Sequence, residues 1–384
     1  MEYVKFSKFI VSTQYGYTAE ETSLVKGDAK YLRITDIVPY FVNKEQVPFC
    51  KIDDNKKKKY LINENDLLIA RTGATTGYNL VVDESYKNFV FASYLIRFNY
   101  NKNDLYPLYL KYVLKSQQWY GFVNNFISGS AQPGMNAKAF GKFQIPFFNY
   151  DIQKRISNIL STYDKLIDNN NKRIKLLEQM AENLYKEWFV RFRFPGYEDV
   201  EFIDGFPKEW KICRIDQLSK IKAGGDAPDD STKEITDECS IPIYSNGIEN
   251  EGLYGYTSKA KISKPSITIS ARGTVGYTCL RRVSYTPIVR LICVIPHEEK
   301  LVNWLFYYFK RTIVIANGTS QQQITIPMMS REKVLLPTND LIQKFYEYST
   351  CYLDEIDSLK AQNSNLEKQR DMLLPRLMSG KLEV

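Results

Sequence analysis

The sequence predicts an α+β protein: two mixed α/β globules joined by two long helices that form an antiparallel coiled coil, with an internal pseudo-twofold repeat. Three observations predict this. The 384 residues repeat once at about half their length, two stretches carry coiled-coil periodicity, and strand signals dominate the remainder. In the repeat, Asp151-Ile152-Gln153-Lys154 returns as Leu341-Ile342-Gln343-Lys344, 190 residues on. Upstream, Ser130-Ala131-Gln132 answers Ser320-Gln321-Gln322, and Ala70-Arg71-Thr72-Gly73 resembles Ala271-Arg272-Gly273. The resulting order is a first globule over 1–150, a helix over 151–194, a second globule over 195–340 and a helix over 341–384.

The helices come from the spacing of apolar residues. Leu160, Tyr163, Ile167, Asn170, Ile174, Leu177, Ala181, Leu184 and Trp188 step by three and four. Ile356, Leu359, Asn363, Leu366, Arg370, Leu373 and Leu377 do the same. Such a seam wants a partner helix, and one asparagine in each, Asn170 and Asn363, is the kind of polar residue that fixes register. Asp151 is read as the first N-cap and Pro195-Gly196 as the stop. At ~1.5 Å per residue, a helix of about 36 residues spans on the order of 54 Å, so an antiparallel pair would hold two globules apart.

Strands are read at Tyr31–Ile37, Asp66–Ala70, Asn79–Val82 and Phe89–Phe98, then at Ser266–Ser270, Tyr277–Leu280 and Arg290–Ile295. Between paired strands lie two glycine-bracketed turns, Arg71–Gly77 and Arg272–Gly276. Backbone N–H groups and hydroxyls on such loops can meet phosphate or base edges, although most loops of this kind are plain hairpin turns. An aromatic helix follows in each half, at Tyr106–Ser116 and Leu301–Arg311. A polar loop comes next, at Ser128–Asn136 and Asn317–Thr325.

Charge points to the partner. The chain holds 52 Lys+Arg against 44 Asp+Glu, a net of +8. Residues 85–150 contain one acid, Asp104, against seven Lys/Arg, and residues 252–331 contain only Glu298 and Glu299 against eleven. Two acid-poor stretches in matching places suggest a polyanion, because phosphate binding needs a locally positive face.

The same inventory narrows the chemistry. A single histidine, His297, is too few for a His-rich zinc site or an HExxH helix. The six cysteines are scattered, without a CxxC pair, and read as reduced thiols rather than a metal site. There is no Pro-Pro and no GxxxxGK(S/T) loop. No signal-peptide core and no membrane-length apolar run is visible, so a cytoplasmic location is expected.

The residues that close each half carry a resemblance. Ile152–Ile156, Leu176-Leu177-Glu178 and Trp188-Phe-Val-Arg-Phe-Arg-Phe-Pro-Gly196 look like one region of a family, and Leu373–Leu382 (LLPRLMSGKL) like its distal counterpart. From end to end the chain resembles the specificity subunit of type I DNA restriction-modification systems. The resemblance implies two target-recognition domains, each reading one half of a bipartite DNA site, with the helices setting the spacer. It implies no catalysis by this chain. Two modification subunits would bring S-adenosylmethionine and adenine methylation, and restriction subunits would add an ATP-dependent nuclease.

With that implication, the candidate DNA contacts are Arg71, Thr72, Thr75, Ser130, Gln132 and Asn136 in the first half. In the second they are Arg272, Thr274, Arg281, Arg282, Ser320, Gln321 and Gln322. Arg can pair with guanine, and Asn or Gln with adenine. Two other readings stay open on the residues alone: a helical adaptor without sequence readout, and a component of a fused DNA-processing enzyme.

Overall fold

The structure is a computed structural model that describes residues 2–382 apart from 20–21, 24, 38–41, 128–133 and 317–323. It divides into two units, Met1–Asn169 with Gln362–Val384, and Asn170–Ala361. Each long helix therefore gives one part to each unit, a division that cuts across the four consecutive segments read from the sequence.

In the first unit, an antiparallel sheet runs in the order Ile10–Tyr15, Leu95–Tyr100, Leu67–Ala70, Asn79–Val81. Leu67–Ala70 is apolar at every position and buried at every position, as an interior strand covered on both faces must be. A second sheet holds Ala29–Leu32 parallel to Phe89–Phe91. Glu2–Lys5 pairs with Gln144–Phe147 and closes the globule just before the central helix. Phe6, Phe98, Trp119 and Phe140 fill the core, with Trp119 stacked on Phe140 at 5.7 Å between centroids.

The second unit repeats the main features of this plan. Its antiparallel sheet runs Ser219–Ala223, Ile292–Pro296, Ser266–Ile269, Thr278–Arg281. Ile241–Tyr244 lies parallel to Thr286–Pro287, and Lys211–Arg214 pairs with Lys333–Leu336 ahead of the distal helix. Trp304, Phe189 and Phe345 are at the centre of its core. The duplication seen in short motifs is thus a duplication of topology.

Several elements differ from expectation, each for a local reason. The strand read over Tyr31–Ile37 stops at Leu32, because the Asp36 carboxylate accepts from Arg33 N at 2.7 Å and bends the chain. The strand read over Phe89–Phe98 is two strands in different sheets, separated where Leu95 N bonds Ala92 O at 2.9 Å. The central helix spans Tyr150–Tyr185 and is capped by Asn149, whose Oδ1 accepts from Ile152 N at 2.9 Å, rather than by Asp151. It ends in a π-turn at Lys186–Val190, well before residue 194, as Trp188 and Phe189 turn into the second core. The distal helix spans Asn339–Met378.

Within each unit the two helices pack together. In the first, Leu160 shares a core with Leu377 and Met378, Leu373 packs against it, and Ile167 is buried. In the second, Ile174, Ile356 and Leu359 cluster with Leu177, while Leu184 packs on the larger core. Arg173 pairs with Glu355 and Tyr185 meets Phe345, so the order of contacts is antiparallel. Asn170 and Asn363 are buried and Leu366 is half-buried.

Candidate nucleic-acid interface

The first glycine-bracketed loop is closed by two bonds, Ala70 N to Tyr78 O and Gly77 N to Ala70 O, both 2.8 Å. Gly77 has φ +88°, and a Cβ there would lie 2.8 Å from Val123 Cγ2. Trp119 Nε1 donates to Gly77 O at 2.8 Å, fastening the loop to the core. Thr75 Oγ1 donates to Thr72 O at 3.2 Å, so this hydroxyl proton shapes the loop. Thr72 bridges to Gly134, and Met135 N donates to Arg71 O at 2.8 Å, which brings the end of the polar loop against the hairpin. The Arg71 guanidinium lies 5.0 Å from the Tyr15 ring centroid. Asn136 is exposed, and its Oδ1 caps the Ala137–Phe140 helix by accepting from Ala139 N at 2.9 Å.

The second loop is closed the same way, by Ser270 N to Tyr277 O at 2.9 Å and Gly276 N to Ser270 O at 2.8 Å. These bonds equate Ser270 with Ala70, which corrects the alignment by letters that placed Arg272 opposite Arg71. Arg71 corresponds to Ala271, and Thr75 to Thr274, since each threonine carbonyl accepts from the tyrosine N–H three residues on. The shift has a physical consequence. Arg71 sits beside its strand, half-buried on Tyr15, whereas Arg272 stands exposed near the tip. The Thr274 hydroxyl is enclosed.

Two candidates are corrected. Arg281 is 3% exposed on the Thr278–Arg281 strand. Its Nε donates to Thr268 Oγ1 at 2.9 Å, one terminal nitrogen donates to Glu251 O at 2.5 Å, and the guanidinium lies 3.6 Å from the Tyr244 centroid. Arg282 forms ion pairs with Asp354 and Asp357 of the distal helix. Both arginines are committed to the fold of the second unit. Ser130, Gln132, Ser320, Gln321 and Gln322 lie outside the described residues.

The acid-poor windows are only partly an outer face. Arg97 pairs with Asp66 at 3.2 Å, Lys111 with Asp164 at 3.4 Å, and burial pushes the Lys115 ammonium down to about 8. Lys87, Lys138 and Lys142 remain exposed, as do Arg272 and Arg290.

A family model for the type I restriction modification DNA specificity domain matches residues 21–179 and again 207–368. The chain belongs to this family. Among relatives of the specificity family, S.MpnORF507P of Mycoplasma pneumoniae, named as a type I specificity subunit, is 30% identical over 219 residues, 56% of each chain. The match thus spans just over half the length of that relative. The MjaIX specificity subunit of Methanocaldococcus jannaschii is 25% identical over 74% of this chain and 71% of its own. In fold, the chain is similar to the type I restriction-modification S subunit of M. genitalium, with a TM-score of 0.59 over 98% of this chain and 95% of that one, at 16% identity.

Within this specificity-family fold, two positions beside the second loop escape sequence reasoning. Asn246 Oδ1 accepts from Ala271 N at 2.9 Å and its Nδ2 donates to Val289 O at 2.7 Å, tying the loop to the Val289–Arg290 turn. Both residues of that turn have positive φ, +52° and +57°, and both are exposed. A β-branched residue held there is strained, a condition that clusters at functional sites. Nothing in the letters Ile-Val-Arg-Leu signals it.

Proposed function

We propose that each unit reads one half of a bipartite double-stranded DNA site, and that the two long helices set the spacer between the halves. The observation that carries this reading is the matched hairpin loop. Each unit fastens a glycine-bracketed loop to its own four-stranded antiparallel sheet of matching order, and the chain belongs to a DNA specificity family. In the first unit the readers are Arg71, Thr72, Thr75 and Asn136, with Ser130 and Gln132. In the second they are Arg272 and Arg290, with Ser320, Gln321 and Gln322, while Thr274, whose hydroxyl is enclosed, is part of the loop that carries Arg272. Phosphate contacts supply affinity and the loops supply discrimination.

The chain itself carries out no reaction. Two modification subunits dock on the long helices and bring S-adenosylmethionine, and restriction subunits bring ATP-driven cleavage. Exposed apolar side chains on these helices, Ile159, Leu166, Leu176, Met180 and Met372, suit such docking. The complex works in the cytoplasm. Among the described residues no helix is long and apolar enough to cross a membrane.

A gel shift with the methyltransferase partner, at two salt concentrations, tests the reading. A salt-sensitive, sequence-selective shift is expected. DNA-independent assembly without a shift would favour the adaptor, and cutting by the chain alone with Mg²⁺ would favour an enzyme.

A further inference from the structure

Where each globule closes, the backbone brings basic residues to the same two places. Phe6 N donates to Phe143 O at 2.8 Å in the first unit, and Ile215 N donates to Glu332 O at 3.0 Å in the second. These bonds equate Lys5 with Arg214, and Lys142 with Arg331. In the first unit Lys5, Lys138 and Lys142 line one open pocket of about 510 Å³ with Ser7, Phe126 and Asn136, and among the described residues no carboxylate lines it. All three lysines are exposed, and Lys142 Nζ lies 5.8 Å from the Phe126 centroid. Asn136 directly follows Gly134 and Met135, the residues bonded to the hairpin loop, so the pocket begins where the reading loop is anchored.

Three ammonium groups around a pocket without a carboxylate repel one another and gain from an anion between them. Lysine binds phosphate as a point charge and does not distinguish bases. We propose that this pocket holds backbone phosphate of the DNA whose bases the Arg71–Gly77 loop reads. Arg331, exposed at the matching place, performs the same task in the second unit, where Arg214 is held by Asp216. The inference rests on the DNA reading above and adds to it the groups that supply sequence-independent affinity.

The test uses the full chain assembled with its methyltransferase partners. Anisotropy titrations across a range of salt compare a duplex carrying the recognised site with one lacking it. In K5Q/K138Q/K142Q the slope of log affinity against log salt becomes shallower by about 2–3. Affinity falls tenfold or more at the lowest salt, alike on both duplexes, while the ratio between them is kept. K5R/K138R/K142R restores the slope, and K56Q/K58Q/K59Q, which removes the same charge from another exposed stretch, leaves it near wild type. An unchanged slope in the first variant overturns the proposal with the DNA reading intact, as does an equal loss in the K56Q/K58Q/K59Q control. A wild-type complex without salt-dependent DNA binding overturns the DNA reading itself, and the pocket with it.

Discussion

Arg370 of the distal helix donates to the Asp164 carboxylate of the central helix at 2.8 Å, within the first unit. The same carboxylate accepts from Tyr112 O–H at 2.7 Å and meets Lys111 at 3.4 Å. One acid therefore ties the globule's aromatic helix to both long helices. Burial pushes its pKa up, but the Tyr112 hydrogen bond and the two cations outweigh that and hold it below the usual carboxylate range.

Asp164→Asn is expected to cost about 2 kcal/mol at neutral pH, the scale of hydrogen bonds to a charged group. A lowered folded pKa gives stability that is present above the unfolded value near 3.9 and is lost as pH falls through the folded one. The wild type should thus lose stability below pH ~4 more steeply than the Asn variant. Urea unfolding of both proteins across acid pH checks this, and parallel curves would contradict it.

The two glycines of the first loop should respond unequally to a methyl group. Gly73→Ala meets only its φ of +70°, with open space around it, and should cost about 1 kcal/mol. Gly77→Ala adds a collision with Val123 and should cost about 2–3 kcal/mol. Thermal melts rank the two, and equal effects would refute the close approach to Val123.

Arg281→Met should act on stability rather than on readout. Removing the guanidinium strips Thr268, Glu251 and Tyr244 of their partner and should cost about 2–3 kcal/mol. The half-site recognised by the folded variant should be unchanged. Methylome sequencing at permissive temperature reports this, and a relaxed second half-site would return Arg281 to the reading residues.

Val289→Gly should raise stability by about 1 kcal/mol, because a β-branched residue at positive φ is strained and this side chain is exposed. If the turn is held for function, the same variant should weaken DNA binding. A melt and a titration together check both halves of the expectation.

The repeat, the helical seams and the two hairpin loops were legible because each depends on spacing along the chain. A strand over Asp66–Ala70 was read from its run of apolar letters, and Leu160 and Leu359 as seam residues from their period. What was not legible depends on registration between distant strands. Arg71 and Arg272 match by letters but differ by one position in the hairpin. Arg281 is basic in an acid-poor window yet faces inward, because its place on the strand carries it over Tyr244. The aromatic run at Trp188-Phe189 looked helical, but the second core draws it out of the regular helix.

The most direct test of the central claim is the methylated DNA motif in cells carrying this chain or its Arg272→Ala variant, with the cognate methyltransferase. Two half-sites separated by an unread spacer are expected, with the variant relaxing one half and leaving the other half and the spacer unchanged. A contiguous site, or relaxation of both halves together, would contradict the assignment of one half-site to each unit.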